Sequence, residues 1–133
     1  MKRKDYIQKL FEFVESRRDT PYKFPEGDCC NFVADAIVAM TDSDPAANLR
    51  GSYHTPAEAK AIIDSHGGLK ELISSFLGEP LGPLCARRGD VVFWNGPNGE
   101  CVGVCVGNDF VTPGDDGLVV RPMTMALKSW KVD

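Results

Sequence analysis

The spacing of apolar residues changes once along the chain, near Arg87, and this change constrains the fold more than any other feature. Before Arg87, apolar residues recur every three to four positions, which is the period of an amphipathic helix. After it, short β-rich runs alternate between two faces and are separated by turn residues. Helices followed by consecutive short strands predict an α+β fold with a small antiparallel sheet.

The boundaries of the predicted elements follow from capping and turn residues. Thr55-Pro56-Ala57-Glu58 is a capping box that starts a helix, and Gly67-Gly68 ends it. The predicted helices cover residues 4–16, 29–40, 56–66 and 69–77, with a short additional helix at 46–49. The predicted strands cover residues 90–94, 101–106, 110–112 and 118–121, followed by a helical turn within 123–130.

Length and composition limit the classes of function. The 133 residues suffice for a single domain, 1–133, with a real core. A net charge of −4 without a basic, aromatic-studded stripe argues against nucleic acid as a partner. No apolar run approaches the roughly 20 residues of a membrane span. The N-terminus continues into an amphipathic segment rather than an apolar signal region, so we expect the chain to be made in the cytosol.

The stretch from Thr20 to Met40 carries the strongest candidate for a reactive group. It reads as a loop broken by Pro and Gly that turns into an apolar helix. Asp28 is a suitable N-cap, and Cys29 then falls in the first turn, where the helix dipole favours a thiolate. A thiol at a helix N-terminus is typical of cysteine enzymes. A buried structural cysteine is the alternative interpretation.

The five cysteines do not indicate a disulfide framework, because their number is odd and no signal peptide precedes them. Cys29, Cys30, Cys101 and Cys105 together contain enough sulfur ligands for a structural metal. Their spacing lacks the two-residue interval of a zinc knuckle, however. We therefore expect neither a metal nor another cofactor.

Three motifs resemble those of the NlpC-type papain-like cysteine peptidases, which cut peptides of bacterial cell walls. The first is Thr20-Pro21-Tyr22 followed by Asp28-Cys29, and the second is Arg88-Gly89-Asp90-Val91-Val92-Phe93. The third is Val102-Gly103-Val104-Cys105-Val106-Gly107-Asn108, which is similar to the strand that begins with the family's catalytic histidine. The resemblance covers roughly residues 20–112 and implies a papain-like fold.

Further segments resemble a small family of tailed-phage and prophage proteins encoded near tail-tip genes. These segments are residues 42–53, Gly67-Gly68-Leu69 and residues 86–90. The resemblance implies a role in the virion or in tail assembly, with other tail proteins of the hub or tip as partners. It also implies a location in the host cytoplasm during assembly and in the virion tail afterwards.

One departure from the peptidase pattern concerns the catalytic residues themselves. By position, the resemblance places the nucleophile on Cys29 and the backbone-supporting tyrosine on Tyr22. It places the histidine on Cys101 and the residue that orients the histidine near Thr112. A thiol cannot replace imidazole as a base at neutral pH, because its pKa is higher and its protonated form is not a cation. The sequence therefore predicts a degenerate and inactive peptidase site.

Two histidines leave an alternative open. His54 lies in a loop before a helix, and such a loop can bring it near Cys29, whereas His66 closes a helix. The alternative function is an active hydrolase that cuts peptidoglycan peptides during phage entry, with Cys29 as nucleophile.

The strand alternation adds a geometric expectation for the thiols. We expect Cys101, Gly103 and Cys105 to share the sheet face that meets the Cys29 helix. Cys29 and Cys101 then approach each other, as packed small side chains, as a disulfide under oxidation, or as ligands of a soft metal.

Overall fold

The computed structural model describes residues 2–20, 29–97 and 99–133. Four helices precede five strands, which confirms the predicted α+β order. The helices are α1 (Tyr6–Arg17), α2 (Cys29–Thr41), α3 (Pro56–Ser65) and α4 (Leu69–Leu77). The strands are β1 (Val91–Gly96), β2 (Gly99–Cys105), β3 (Asp109–Gly114), β4 (Gly117–Pro122) and β5 (Lys128–Trp130). Two 3₁₀ turns cover Pro83–Cys85 and Met123–Met125.

The five strands form one antiparallel sheet in the order β4-β3-β2-β1-β5. The first four strands follow one another as a meander, and β5 returns to the free edge of β1, where Val91 pairs with Trp130. The ladder between β2 and β3 covers only Val104↔Val111 and Cys105↔Phe110 in the described part of the chain. The regular pairing of the two strands therefore ends at Val104.

The main core lies between α2 and one face of the sheet. Helix α2 packs on β2 and β3, and α1 packs on α2. The residues of α2 with the predicted helical spacing, Phe32, Val33, Ala36, Ile37 and Met40, are all buried. From the sheet, Val102 and Val104 enter this core, whereas Cys105 packs on the opposite face with Val92 and Trp94.

The prediction about the sheet face was therefore wrong. The valines of β2 pack on the apolar face of α2 and Cys105 packs on the opposite side of the sheet, whereas Cys101 interacts with the first residue of α2, Cys29. The physical reason is that a helix as apolar as α2 buries most surface against branched aliphatic side chains.

Two other local predictions also differ from the structure. Residues 46–49 form turns rather than a helix, since the Asp44 carboxylate accepts the Ala46 N–H at 2.9 Å and competes with helical bonding. The predicted helical turn within residues 123–130 is limited to the 3₁₀ turn Met123–Met125, and Lys128–Trp130 forms strand β5 instead. Ser129 pairs with Leu81 on one side and with Val92 on the other, and these distant partners decide the strand.

The start and end of the described chain meet at Asp90, just before β1. Its carboxylate accepts hydrogen bonds from the Arg87 N–H at 2.9 Å and the Val132 N–H at 3.2 Å, and it pairs with the Lys2 ammonium at 3.3 Å. Asp90 is only 2% exposed. In the part of the chain that the structure describes, no helix has the length and apolar character needed to cross a membrane.

Candidate functional site

Cys29 is the first residue of α2 and lies where the helix meets the sheet. The residue packs against the main core and remains partly exposed. Burial of Phe32, Val33 and Ala36 fixes the helix on the sheet, so the position of Cys29 follows from the apolar face of α2. The proposed N-cap Asp28 and the tyrosine Tyr22 lie outside the described residues.

Cys101 lies in β2 beyond the last residue pair that joins β2 to β3. Thr112 of β3 keeps the two strands in contact next to this point, since its buried hydroxyl donates a 3.1 Å hydrogen bond to the Val102 carbonyl. Gly103 permits this arrangement, because a Cβ at that position would lie 2.6 Å from the Val111 carbonyl oxygen.

The structure brings Cys29, Cys101 and Thr112 together, as the position-by-position resemblance predicts. The Cys101 thiol forms a hydrogen bond with the Cys29 thiol and also interacts with the Thr112 hydroxyl. The prediction that Cys29 and Cys101 approach each other is confirmed, although the valine face of β2 supplies the packing against α2.

Both thiols are held in the protonated form. The largest influence on Cys29 is the hydrogen bond from Cys101, which lowers its pKa, but the contact with Cys30 and burial together raise the pKa well above its ordinary value. For Cys101, the hydrogen bond to Cys29 comes first and burial second, and both raise the pKa. A Cys101 thiol with a raised pKa therefore gives Cys29 no base of the kind that an imidazole would supply.

Two other thiols, those of Cys30 and Cys105, lie in different surroundings. Cys30 interacts with Cys29 and packs beside it against the main core. Cys105 is fully buried on the other face of the sheet, where its thiol donates to the Gly107 carbonyl at 3.3 Å. Burial raises the pKa of Cys105. Within the described ranges, no group of three or more His, Cys, Asp or Glu side chains could hold a metal ion.

Neither histidine is among the described groups that interact with Cys29. His54 is exposed, and its backbone N–H donates to the Glu58 carboxylate at 2.8 Å. The His54 ring forms no hydrogen bond or ion pair with any residue in the described segments. The His66 ring contacts the Ile62 carbonyl at 2.9 Å, at the end of α3, as expected for a histidine that closes a helix.

An apolar cavity of about 170 Å³ adjoins the site, and sequence reasoning missed it. It lies between α2 and the pair α3 and α4, with Cys29 and Cys30 in one wall and Ile62 and Phe76 in the opposite wall. Helix α3 contributes no fully buried residue, because its apolar side chains line this space. The only sequence signal for the cavity is the spacing of Ile62 and Ile63, which predicts a buried helix face. In the structure both side chains are only partly buried.

A second feature that sequence reasoning missed is an exposed apolar surface, here called the end patch. It consists of Leu81, Leu84, Met125 and Leu127. These residues lie on or beside the two 3₁₀ turns and β5, which contact one another. Leu84 is 96% exposed, an unusual position for so large an apolar side chain.

Fold and site together define a small α+β domain in which the first residue of a buried helix pairs its thiol with a thiol of the sheet. The chain belongs to the DUF6950 family, a domain of unknown function, whose sequence profile matches residues 1–132. No curated protein matches the chain.

Proposed function

We propose that the protein is a structural or assembly component of a phage tail tip, with a papain-like NlpC-type fold and a degenerate peptidase site. One observation carries this proposal. The thiol of Cys101, in the position that the resemblance gives to the catalytic histidine, contacts the thiol of Cys29. Among the described residues no base contacts the thiol pair, so the nucleophile stays protonated and the chemistry of a cysteine peptidase is lost.

The arrangement of the elements supports the papain-like part of the proposal. A cysteine at the start of a buried helix lies against the strand that the resemblance compares with the histidine-bearing strand. Thr112, on the next strand, interacts with Cys101 just as an orienting residue would interact with a histidine. The scaffold of a catalytic site is thus retained while its base is missing.

The end patch supports a role in assembly. Large exposed apolar patches mark interaction surfaces, because leaving them in water costs free energy that a partner can recover. Leu127 directly precedes the edge strand β5, and Leu84 lies in the 3₁₀ turn that contacts β5. Strand β1 separates β5 from β2, the strand that carries Cys101. Hub or tip proteins of the tail are the partners that we propose for this surface.

Complementation in a phage that encodes this chain separates assembly from catalysis. We expect deletion of the gene to give particles without functional tails, and we expect the Cys29→Ala variant to restore plaque formation as well as wild type does. The Leu84→Glu variant should fail, because a carboxylate in the end patch opposes burial against a partner. Val120→Glu is the matched control, since Val120 is 55% exposed and lies on β4, at the opposite edge of the sheet.

Each result has a defined meaning once the thermal midpoints show that all variants fold. Failure of Cys29→Ala would establish a need for the thiol and favour the hydrolase that cuts peptidoglycan peptides. Normal tails in the deletion strain would overturn the assembly role.

A further inference from the structure

The thiols of Cys29 and Cys101 can undergo a reaction that neither a peptidase mechanism nor an assembly role requires. Cys29 interacts with Cys101 across two elements, the start of α2 and β2. Both residues are partly exposed, so that a small reagent can reach them. We propose that Cys29 and Cys101 form a reversible disulfide under oxidising conditions, which locks the start of α2 to the sheet.

Cys101 is a better partner for Cys29 than Cys30 is. Neighbouring residues across a trans peptide have Cα atoms 3.80 Å apart, which is below the roughly 4.4–6.8 Å that disulfides usually span. A Cys29–Cys30 bond would also distort the first turn of α2, to which both residues belong. Cys105 is excluded because it is fully buried at the other end of β2, where its thiol donates to the Gly107 carbonyl.

The oxidant can be a low-molecular-weight disulfide such as oxidised glutathione. One thiol of the pair loses its proton to water, and its thiolate attacks the glutathione disulfide and releases one glutathione thiolate. The other thiol, once deprotonated, attacks the mixed disulfide and releases the second glutathione. Two cysteines are oxidised and one glutathione disulfide is reduced to two thiols. Because the pKa values of Cys29 and Cys101 are raised, the reaction should accelerate as the pH rises.

The bond would close a loop of about 70 residues and so constrain the unfolded chain. It would also remove Cys29 from any reaction with electrophiles. If the protein has the tail role proposed above, Cys29 and Cys101 stay reduced in the host cytoplasm and become oxidised after the particle leaves the cell. Only this statement about the time of oxidation rests on the tail role.

The test uses the purified full chain, incubated with oxidised glutathione at pH 8.5, alkylated with N-ethylmaleimide and digested for mass spectrometry. We expect one linked peptide pair that joins Cys29 to Cys101 and disappears on reduction with dithiothreitol. The thermal midpoint of the oxidised protein should rise by roughly 10 °C. Cys30→Ser and Cys85→Ser should keep both the link and the rise, whereas Cys29→Ser and Cys101→Ser should lose both.

Several results would overturn the proposal. They are a Cys29–Cys30 link, a Cys30–Cys101 link, and glutathione adducts without an internal link. Since fragmentation of the linked peptides from the wild-type chain identifies the two joined cysteines, the outcome does not depend on how well a variant folds. It is also independent of the tail role, which only the complementation experiment addresses.

Discussion

At the scale of single residues, the behaviour of Cys29 follows from its neighbours more than from its place at a helix start. The helix dipole and the free N–H groups of the first turn favour a thiolate there. Contact with the Cys30 thiol and burial oppose them, and the pKa of Cys29 ends well above its ordinary value. The Cys101 thiol lacks the positive charge that an imidazolium would place beside the sulfur. Whether a cysteine at this helix position is reactive or inert therefore depends on its thiol neighbours and its burial as well as on the helix.

We expect the alkylation of Cys29 by iodoacetamide to stay slow at neutral pH and to keep accelerating past about pH 8.5. Only the thiolate reacts, and a raised pKa shifts the thiolate population to higher pH. The measurement is the rate at each pH, read by peptide mass mapping in the presence of a phosphine reductant. The same protein unfolded in urea is the control, because its Cys29 should show the profile of an ordinary thiol. A rate plateau reached by about pH 6–7 in the folded protein would contradict this prediction.

At the scale of elements, local sequence patterns predicted the helices and the meander well, and distant contacts decided the rest. The predicted cap at Thr55 is present, with the Glu58 N–H donating to the threonine hydroxyl at 3.1 Å, although the Glu58 carboxylate accepts the N–H of His54 rather than that of Thr55. The strand β5 was missed because Lys128–Trp130 is too short to show a period, and pairing with β1 and Leu81 makes it a strand. The face of β2 was assigned wrongly because alternation identifies two faces without saying which one a helix covers.

The close approach of β2 and β3 depends on Gly103, and we expect Gly103→Ala to destabilise the protein by about 1–3 kcal/mol. The new Cβ would lie 2.6 Å from the Val111 carbonyl oxygen, a backbone atom that cannot move aside alone. Gly82→Ala is the matched control, since nothing lies within 4 Å of its Cβ position and its φ of −64° suits alanine. Urea unfolding at equilibrium measures both variants. Equal stability of the two variants would show that β3 can shift away from β2.

At the scale of the whole molecule, the candidate site combines predictable and unpredictable parts. Motif positions predicted that Cys29, Cys101 and Thr112 meet, and they do. No motif predicted the cavity beside Cys29 and Cys30, because its volume depends on how far α3 and α4 stand from α2. The exposure of Leu84 was not predicted either. Leu84 lies in a proline-rich connection, where the apolar residues form no periodic pattern that would indicate a buried or an exposed face. Packing distances and surface exposure are properties of the assembled chain.

Asp90 joins the two ends of the described chain, so that changing it should affect the molecule as one unit. We expect Asp90→Asn to lower the free energy of unfolding by about 2–4 kcal/mol. The carboxylate is buried and accepts the backbone N–H groups of Arg87 and Val132 on its two oxygens. An amide keeps one acceptor and turns the other into a donor, which leaves one buried N–H unsatisfied and facing another donor.

Two further variants show whether the backbone bonds or the ion pair of Asp90 provide this stability. Lys2→Met removes the partly exposed ammonium and should cost less than Asp90→Asn, because the N–H groups keep their acceptors. Asp64→Asn is the control, since its exposed pair with Lys60 should contribute less than about 0.5 kcal/mol. We follow urea unfolding by tryptophan fluorescence and by far-UV circular dichroism. In the wild-type protein the two transitions should coincide, because the contacts of Asp90 make the helices and the sheet unfold together. If the two transitions separate only in Asp90→Asn, this one carboxylate couples the unfolding of the helices to that of the sheet. If the urea midpoint of Asp90→Asn equals that of the wild type, the contacts of Asp90 contribute nothing to stability.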